Sequence, residues 1–327
     1  MTKKSSIFEK ARSFLIVSHY HPDGDAIGAS LALSLGLKKL GKKAVVYNRD
    51  AVPFNLGFLP SVGEVTQTLP KEKLDCAVMV DCAQPKRVSD DFAKAVDAKQ
   101  FGTLVCIDHH LLDHKVGDID WIEPEAASTG SVVWHILGEM GIQKDAAIAN
   151  LIFCTLTVDT GSFRYSNTTD KVFALAAELV RAGADPWFVA GHMEESNPVE
   201  RFRLLRQCLG SLVVKLNGNY ASMEITKKML QDAGADEGLS DEFANIPRSI
   251  AGVEVAALFR EIEDGKIKVS LRSKEKVDVS KVAKQFAGGG HEHAAGCNLK
   301  CSLAEAKKQI ETAVGKALEM GSSLRLT

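Results

Sequence analysis

The 327-residue sequence lacks a surplus of basic charge: 40 lysines and arginines stand against 42 aspartates and glutamates, a formal net charge of −2. Proteins that coat long nucleic acid carry a marked basic excess. Binding to long duplex is therefore excluded, and any grip on nucleic acid must be local, at a pocket for a few phosphates. Paired cysteines are lacking as well. The seven cysteines, Cys76, Cys82, Cys106, Cys154, Cys208, Cys297 and Cys301, are odd in number and include no Cys-x-x-Cys pair. That excludes a disulfide framework and points to a reducing compartment, with several thiols buried in apolar runs. Cys297 and Cys301 have no second ligand pair nearby, which argues against a zinc site. Long apolar runs are missing too. Met1-Thr2-Lys3-Lys4 is followed by no apolar core, and residues 14–17 are far too few for a signal peptide or membrane span. A cytoplasmic protein with no membrane partner is expected. There is no internal repeat and no low-complexity tract.

What is present is ordinary globular composition, 45% hydrophobic and 25% charged, enough for two cores. Residues 14–17 form an apolar strand-like run, residues 26–40 a helix-like one closed by Gly41, and residues 44–47 a second strand. Apolar runs recur at 76–80, ending at Asp81, and at 104–107, ending at Asp108. Uninterrupted apolar strands separated by helices predict a parallel sheet covered on both faces. Helices are predicted at 131–140, 145–158 and 171–182. Breaks at Gly183-Ala184-Asp185-Pro186 and Ser196-Asn197-Pro198 precede an amphipathic helix at 199–212. The second half reads as strands at 220–225, 253–261 and 266–271, the last two joined by an Asp264-Gly265 turn, and helices at 279–286 and 303–319. The expected fold class is α/β: residues 1–185 as a parallel-sheet domain with helices on both faces, 186–206 as a connecting helix, 207–327 as a smaller mixed α/β domain, and a cleft between the two.

Ligands of open α/β sheets bind at the carboxyl ends of the strands. Here those ends carry His19-x-x-Pro22-Asp23-Gly24-Asp25, then Asp81, then Asp108-His109-His110, while Asp159 closes the run 156–158. Any one aspartate after a strand reads equally well as a helix N-cap, Asp25 before Ala26 included. Together, five aspartates on one rim would repel one another unless cations neutralise them or some pKa values rise. A pair of divalent ions resolves this, and the mixed Asp/His set suits Mn²⁺, with Mg²⁺, Co²⁺ or Zn²⁺ as alternatives. Asp23 and Asp25 flank Gly24, so each is placed to serve a different ion; Asp81 is placed to bridge both. His21 and His114 read as solvent-facing, and His135 and His192 are given no role.

The second half has its own signal, Gly288-Gly289-Gly290-His291 followed by Ala294-Ala295-Gly296. Three glycines in a row are costly to order and make sense where backbone N–H groups approach an anion, with His291 next to the phosphate. Residues 266–284 hold seven basic residues and two acids. Within them Arg272, at a strand end, suits a bidentate phosphate grip; Lys274, Lys276 and Lys281 read as a solvated face.

These motifs resemble those of the DHH phosphoesterase superfamily, named for the residues matching Asp108-His109-His110, and of the DHHA1 domain, matched by the triple-glycine stretch. Together they cover nearly the whole chain, and the stretch 159–165 is similar to the fourth motif of the oligoribonuclease and 3′-phosphoadenosine-5′-phosphate (pAp) phosphatase group. The resemblance implies one metal held by His19, Asp23 and Asp81 and another by Asp25, Asp81, His109 and Asp159. It places His110 beside the reacting phosphate, with Asp108 as a supporting catalytic residue. It implies hydrolysis of short oligoribonucleotides or pAp by metal-activated water, with Arg272, Gly288, Gly289, Gly290 and His291 binding the substrate. Linear or cyclic di-adenosine nucleotides remain an alternative substrate class, and a nucleotide-binding module without turnover a different class altogether. A homodimer is left open.

Overall fold

The computed structural model describes residues 6–112 and 114–323; the side chains of Asp264, His291 and residues 320–323 lie outside that description, as does Met1-Thr2-Lys3-Lys4. The chain divides into two compact units, Met1–Ser196 and Asn197–Thr327.

The first unit is built on a six-stranded sheet in the order β3-β2-β1-β4-β5-β6. Its strands are β1 (Ser13–Val17), β2 (Lys43–Tyr47), β3 (Val65–Thr66), β4 (Leu74–Val80), β5 (Phe101–Asp108) and β6 (Ile119–Ile122), and every neighbouring pair is parallel. The apolar runs bury both faces, and side chains alternate between them. Phe14, Ile16, Cys76, Val78, Val80, Val105 and Ile107 pack under the helices Gly24–Lys39, Thr129–Glu139 and Ala146–Asp159. Leu15, Val17, Ala77, Met79 and Cys106 face the other way, against Val88, Phe92 and Ala95 of the helices Pro85–Val88 and Asp90–Asp97. The order runs outward from β1 to β3 and then jumps back to β4 on the other side of β1. That reversal opens a crevice at the carboxyl ends of β1 and β4, where ligands of such sheets bind; His19 and Asp81 follow those two ends.

Two glycines bring the helices of the larger layer together. A Cβ on Gly28 would lie 2.7 Å from Thr155 Cγ2 and 2.9 Å from the Leu151 carbonyl oxygen, and one on Gly130 would lie 2.0 Å from Thr155 Oγ1. No rotamer relieves a collision with backbone.

The second unit is a mixed sheet in the order β11-β12-β10-β9-β8-β7, with β7 (Val213–Lys215), β8 (Tyr220–Ile225), β9 (Val255–Glu261), β10 (Ile267–Ser273), β11 (Gly289–His291) and β12 (Ala294–Leu299). Only β8 and β9 pair in parallel. One face packs along its length on the helices Val279–Lys284 and Leu303–Ser323. The other face is covered over β8 and β9 by helices that include Val199–Gly210 and Lys227–Ala233. Along β10 the covering thins: Lys268, Ser270 and Arg272 are half-buried, while Ile267, Val269, Leu271 and Ser273 are buried. Within the glycine stretch, residues 289–291 form an edge strand.

Substituting Gly28 by alanine should cost about 1–3 kcal/mol, as overpacking of a tight core does. The check is the urea midpoint of the metal-free protein, which should fall with an unchanged slope.

Candidate metal centre

Each polar side chain at the crevice is aimed by its local backbone. Asp23, not Asp25, caps the helix Gly24–Lys39: its Oδ1 accepts from the amides of Asp25 (3.1 Å) and Ala26 (3.0 Å). That frees Asp25, in the first turn of the helix and 1% exposed, to point inward. There its Oδ2 accepts from the Thr129 amide at 2.7 Å and its Oδ1 from the Gly130 amide at 2.9 Å, at the positive end of the helix Thr129–Glu139. Asp81 follows β4 with φ of 55°, a left-handed conformation unusual for a residue with a side chain. Its amide donates to the Ile107 carbonyl and its Oδ1 accepts from the Thr129 hydroxyl at 3.1 Å.

The histidines are oriented from behind. Nδ1 of His19 lies 2.9 Å from the Tyr20 carbonyl and Nδ1 of His109 lies 3.1 Å from the Ala126 carbonyl. A carbonyl only accepts, so both rings carry their proton on Nδ1 and turn Nε2 into the crevice. Nε2 of His19 is 3.4 Å from Asp81 Oδ2; Nε2 of His109 is 3.2 Å from Asp159 Oδ2 and 4.0 Å from both Asp25 and Asp81. His110 stacks edge-on against His109 and is clamped by buried Asp108, whose Oδ1 accepts from the His110 amide (2.9 Å) and from Nδ1 (2.7 Å).

Asp159 arrives differently from the others. It is the last residue of the helix Ala146–Asp159, not a strand terminus. The chain then turns sharply through Gly161, Ser162 and Phe163, all at positive φ, and Asn167 Nδ2 donates to the Asp159 carbonyl at 3.1 Å.

The structure thus gathers His19, Asp23, Asp25, Asp81, Asp108, His109, His110 and Asp159 into one crevice. Within it one donor atom each from His19, Asp23 and Asp81 lie within 4.8 Å of one another; so do atoms of Asp25, His109 and Asp159, and of Asp81, His109 and His110. Asp81 belongs to two of these groups and His109 to two. His21 stays outside, with its side chain 75% exposed and near Asp50. His114 is exposed.

Charge in the crevice is poorly compensated by the protein alone. Burial pushes the carboxyl of Asp25 well above its usual range, with the charges of Asp81 and Asp23 adding to the effect. Asp159 is pushed well up for the same first reason and then by Asp25, Asp81 and Asp23. Burial opposes ionisation of Asp81 also, but the hydrogen bond from His19 and the imidazoles of His19, His110 and His109 outweigh it and hold Asp81 down. Two carboxyls that resist ionising beside imidazole nitrogens turned inward make a donor set that fits divalent cations.

Residues 13–160 match the DHH family, N-terminal domain, and residues 217–319 match the DHHA1 domain. The chain is 35% identical over 93% of its length to the bifunctional oligoribonuclease and PAP phosphatase NrnA of Thermus thermophilus, and covers 89% of that protein. The chain belongs to the DHH phosphoesterase family. As such it is a metal-dependent phosphoric ester hydrolase. The NrnA of Bacillus subtilis is 27% identical over 88% of this chain and 89% of that one. Among solved structures, an exopolyphosphatase-related protein from Bacteroides fragilis superposes with a TM-score of 0.91 at 30% identity, covering 97% of this chain and 96% of that one. No helix among the described residues is long and apolar enough to cross a membrane.

In this DHH phosphoesterase the second-unit residues are brought together by register. Arg272 pairs with Ala294, and Ala294 with His291, so the three occupy one row across β10, β12 and β11; Ser270, Gly296 and Gly289 form the next row. Two of the three glycines have a packing reason rather than an anion: a Cβ on Gly288 would lie 2.2 Å from the Gly296 carbonyl oxygen, and one on Gly290 2.5 Å from that of Ala294. Gly289 alone faces open space. The side chain of His291 lies outside the described residues.

Sequence reading missed Thr129 and Gly130, whose amides hold Asp25 and whose hydroxyl, from Thr129, holds Asp81. A signal was there: Ser128-Thr129-Gly130-Ser131 ahead of an apolar helical run has the composition of a helix start.

The raised groups set a direction for metal-free stability. Asp25 and Asp159 ionise in the unfolded chain near their ordinary values but resist in the fold, so stability falls as pH rises past the usual carboxylate range. His19, where burial is outweighed by Asp81 and Asp23, and His110, held up first by Asp108, also favour protonation in the fold. Their contribution is lost as pH climbs through and above 6.5. Asp81 works oppositely, with stability lost on acidification. Metal-free protein should therefore melt lower at about pH 8 than at about pH 6, and Mn²⁺ should raise the melting temperature more at the higher pH. Equal stabilisation at both pH values would contradict this account of the crevice.

Proposed function

We propose that the crevice holds two divalent cations, with Mn²⁺ as the physiological choice, and that the enzyme hydrolyses short oligoribonucleotides and pAp. The observation that carries this reading is the pair of three-donor groups, His19/Asp23/Asp81 and Asp25/His109/Asp159, linked by a third, Asp81/His109/His110, that shares Asp81 with the first and His109 with the second. The relatives named as bifunctional oligoribonuclease and PAP phosphatase support the substrate class. The chain's balance of charge agrees with a small substrate.

When bound, such a pair of ions supplies Lewis-acid polarisation of the phosphoryl oxygens and lowers the pKa of a water to a usable value. The remaining work belongs to side chains. Asp81, held in its left-handed turn with His19 Nε2 3.4 Å from one oxygen and His109 Nε2 4.0 Å from the other, would help to hold both ions. His110, with Nδ1 tied to Asp108 and its side chain 38% exposed, presents Nε2 at the mouth of the crevice. Protonated on both nitrogens, as the Asp108 carboxylate favours, it donates from Nε2 to a phosphoryl oxygen as charge develops in the transition state. Asp108 is buried and bonded to His110, so it is a positioning residue that fixes the ring and its proton. In the second unit, Arg272 grips a phosphate of the substrate, and Gly288, Gly289, Gly290 and His291 form the remaining wall of that subsite. Gly289 is the glycine whose backbone a ligand can approach.

The deciding experiment compares kcat/KM for pAp, a di-adenosine nucleotide and oligoribonucleotides of a few residues, each with Mn²⁺ and with Mg²⁺. Turnover of the first and third above the second supports the proposal; no turnover of any would leave only a binding module. His110→Ala should lower kcat on the order of 10²–10³-fold with metal content retained. A loss confined to KM would move His110 from charge stabilisation to simple binding.

A further inference from the structure

The His19 turn is held by more than its own sequence. Between the end of β1 and the cap at Asp23, three successive backbone groups are each tied to a different partner. The His19 carbonyl accepts from Asn48 Nδ2 at 2.9 Å, the Tyr20 amide donates to the Arg87 carbonyl at 2.7 Å, and the His21 amide donates to Asp50 Oδ2 at 2.7 Å. Asn48 and Asp50 both lie just past β2, the neighbour of β1. His21 sits at φ of 52°, a conformation a histidine does not adopt freely.

Asn48 is fully buried, and its amide is used at both ends. Nδ2 donates also to Ser18 Oγ at 2.9 Å, and Oδ1 accepts from the Asp50 amide at 2.9 Å. Because a carbonyl only accepts and an amide N–H only donates, the orientation is fixed and the position requires a side chain with one donor and one acceptor face. An aspartate could not donate to His19; a leucine could do neither. Asp50 is then placed by Asn48 and braced by Arg49, whose Nε donates to Oδ1 at 3.1 Å and whose guanidinium lies over the Tyr20 ring.

We propose that Asn48 and Asp50 are positioning residues for the His19/Asp23/Asp81 half of the centre. They hold the His19 turn in its ligating conformation before any cation arrives. The inference rests on the two-cation reading above, and the test separates the two. Metal-free protein is titrated calorimetrically with Mn²⁺ alone, and bound manganese is counted after dialysis.

Wild type should take up two equivalents. Asn48→Ala and Asp50→Ala should weaken one of the two binding steps about 10–100-fold, the usual effect of removing a ligand's support. The other step should stay unchanged, and activity should return at high Mn²⁺ with KM unaltered. Asp50→Asn keeps an oxygen for the His21 amide though not the one that Arg49 Nε meets, and should recover most of the wild-type affinity, a rescue that a bulk effect on folding would not show. Asp50 is partly exposed, so its variants decide the matter if Asn48→Ala does not fold. Uptake of two equivalents at wild-type affinity by folded Asp50→Ala would overturn the proposal. Uptake of fewer than two by wild type would instead sink the two-cation reading.

Discussion

Mutual repulsion among buried carboxylates is the constraint on which the first unit is organised. Asp25, Asp81 and Asp108 are buried, with half-buried Asp159 and exposed Asp23 close beside them. Four of the five accept hydrogen bonds from the surrounding elements, Asp81 from the Thr129 hydroxyl. The amides at the start of the helix Thr129–Glu139 point at both oxygens of Asp25, the first turn of the helix Gly24–Lys39 points at Asp23, and the His110 ring and amide point at Asp108. These partial charges make the arrangement tolerable without cancelling it, because hydrogen bonds to a carboxylate recover only part of the solvation that burial removes. The residual imbalance is what divalent cations relieve, and it ties fold stability to metal binding.

Topology explains why the acids converge at all. The reversal of strand order beside β1 leaves the carboxyl ends of β1 and β4 side by side, with β5 next to β4, so three stretches far apart in the chain end at one place. The small contacts at Gly28 and Gly130 both fall on the helix Ala146–Asp159, and through this shared neighbour the other two helices come close enough that an amide at the start of one reaches a carboxylate on the other. Asp81 depends on both effects. It leaves β4 in a left-handed turn, between His19 from the neighbouring strand and Thr129 from the overlying helix.

Much of this was legible in the sequence because strand ends are easy to read. An apolar run followed by a polar residue marks where a β-strand reaches the rim, and His19, Asp81, Asp108 and His109 all declare themselves in that way. Asp159 was legible as the acid that closes the predicted helix 145–158, and it lies at the end of the helix Ala146–Asp159. Asn48 was not legible, and Thr129 and Gly130 were legible only as a helix start. They act through backbone amides, or through one amide side chain between two loops, and such contacts leave no periodic trace. At two positions of the triple glycine, packing supplies a cause that the sequence did not display. Gly288 and Gly290 lack side chains because β12 passes too close, a fact about strand pairing that a glycine count cannot reveal.

The three residues of the family motif show how one strand end divides its labour. Asp108 is the last residue of β5 and stays buried. His109 leaves the sheet and turns Nε2 toward Asp159, with its other nitrogen against Ala126. His110 doubles back, so that its amide and ring both reach the Asp108 carboxylate while the rest of the ring faces outward. Consecutive residues therefore point to the core, the crevice and the mouth. This divergence requires the strand to end where it does. One further residue of β-structure would alternate the side chains between the two sheet faces and carry His109 away from the crevice. The aspartate is thus needed first as the anchor that stops the strand and bends it back, and only through that anchor is the ring of the second histidine held at the rim of the crevice.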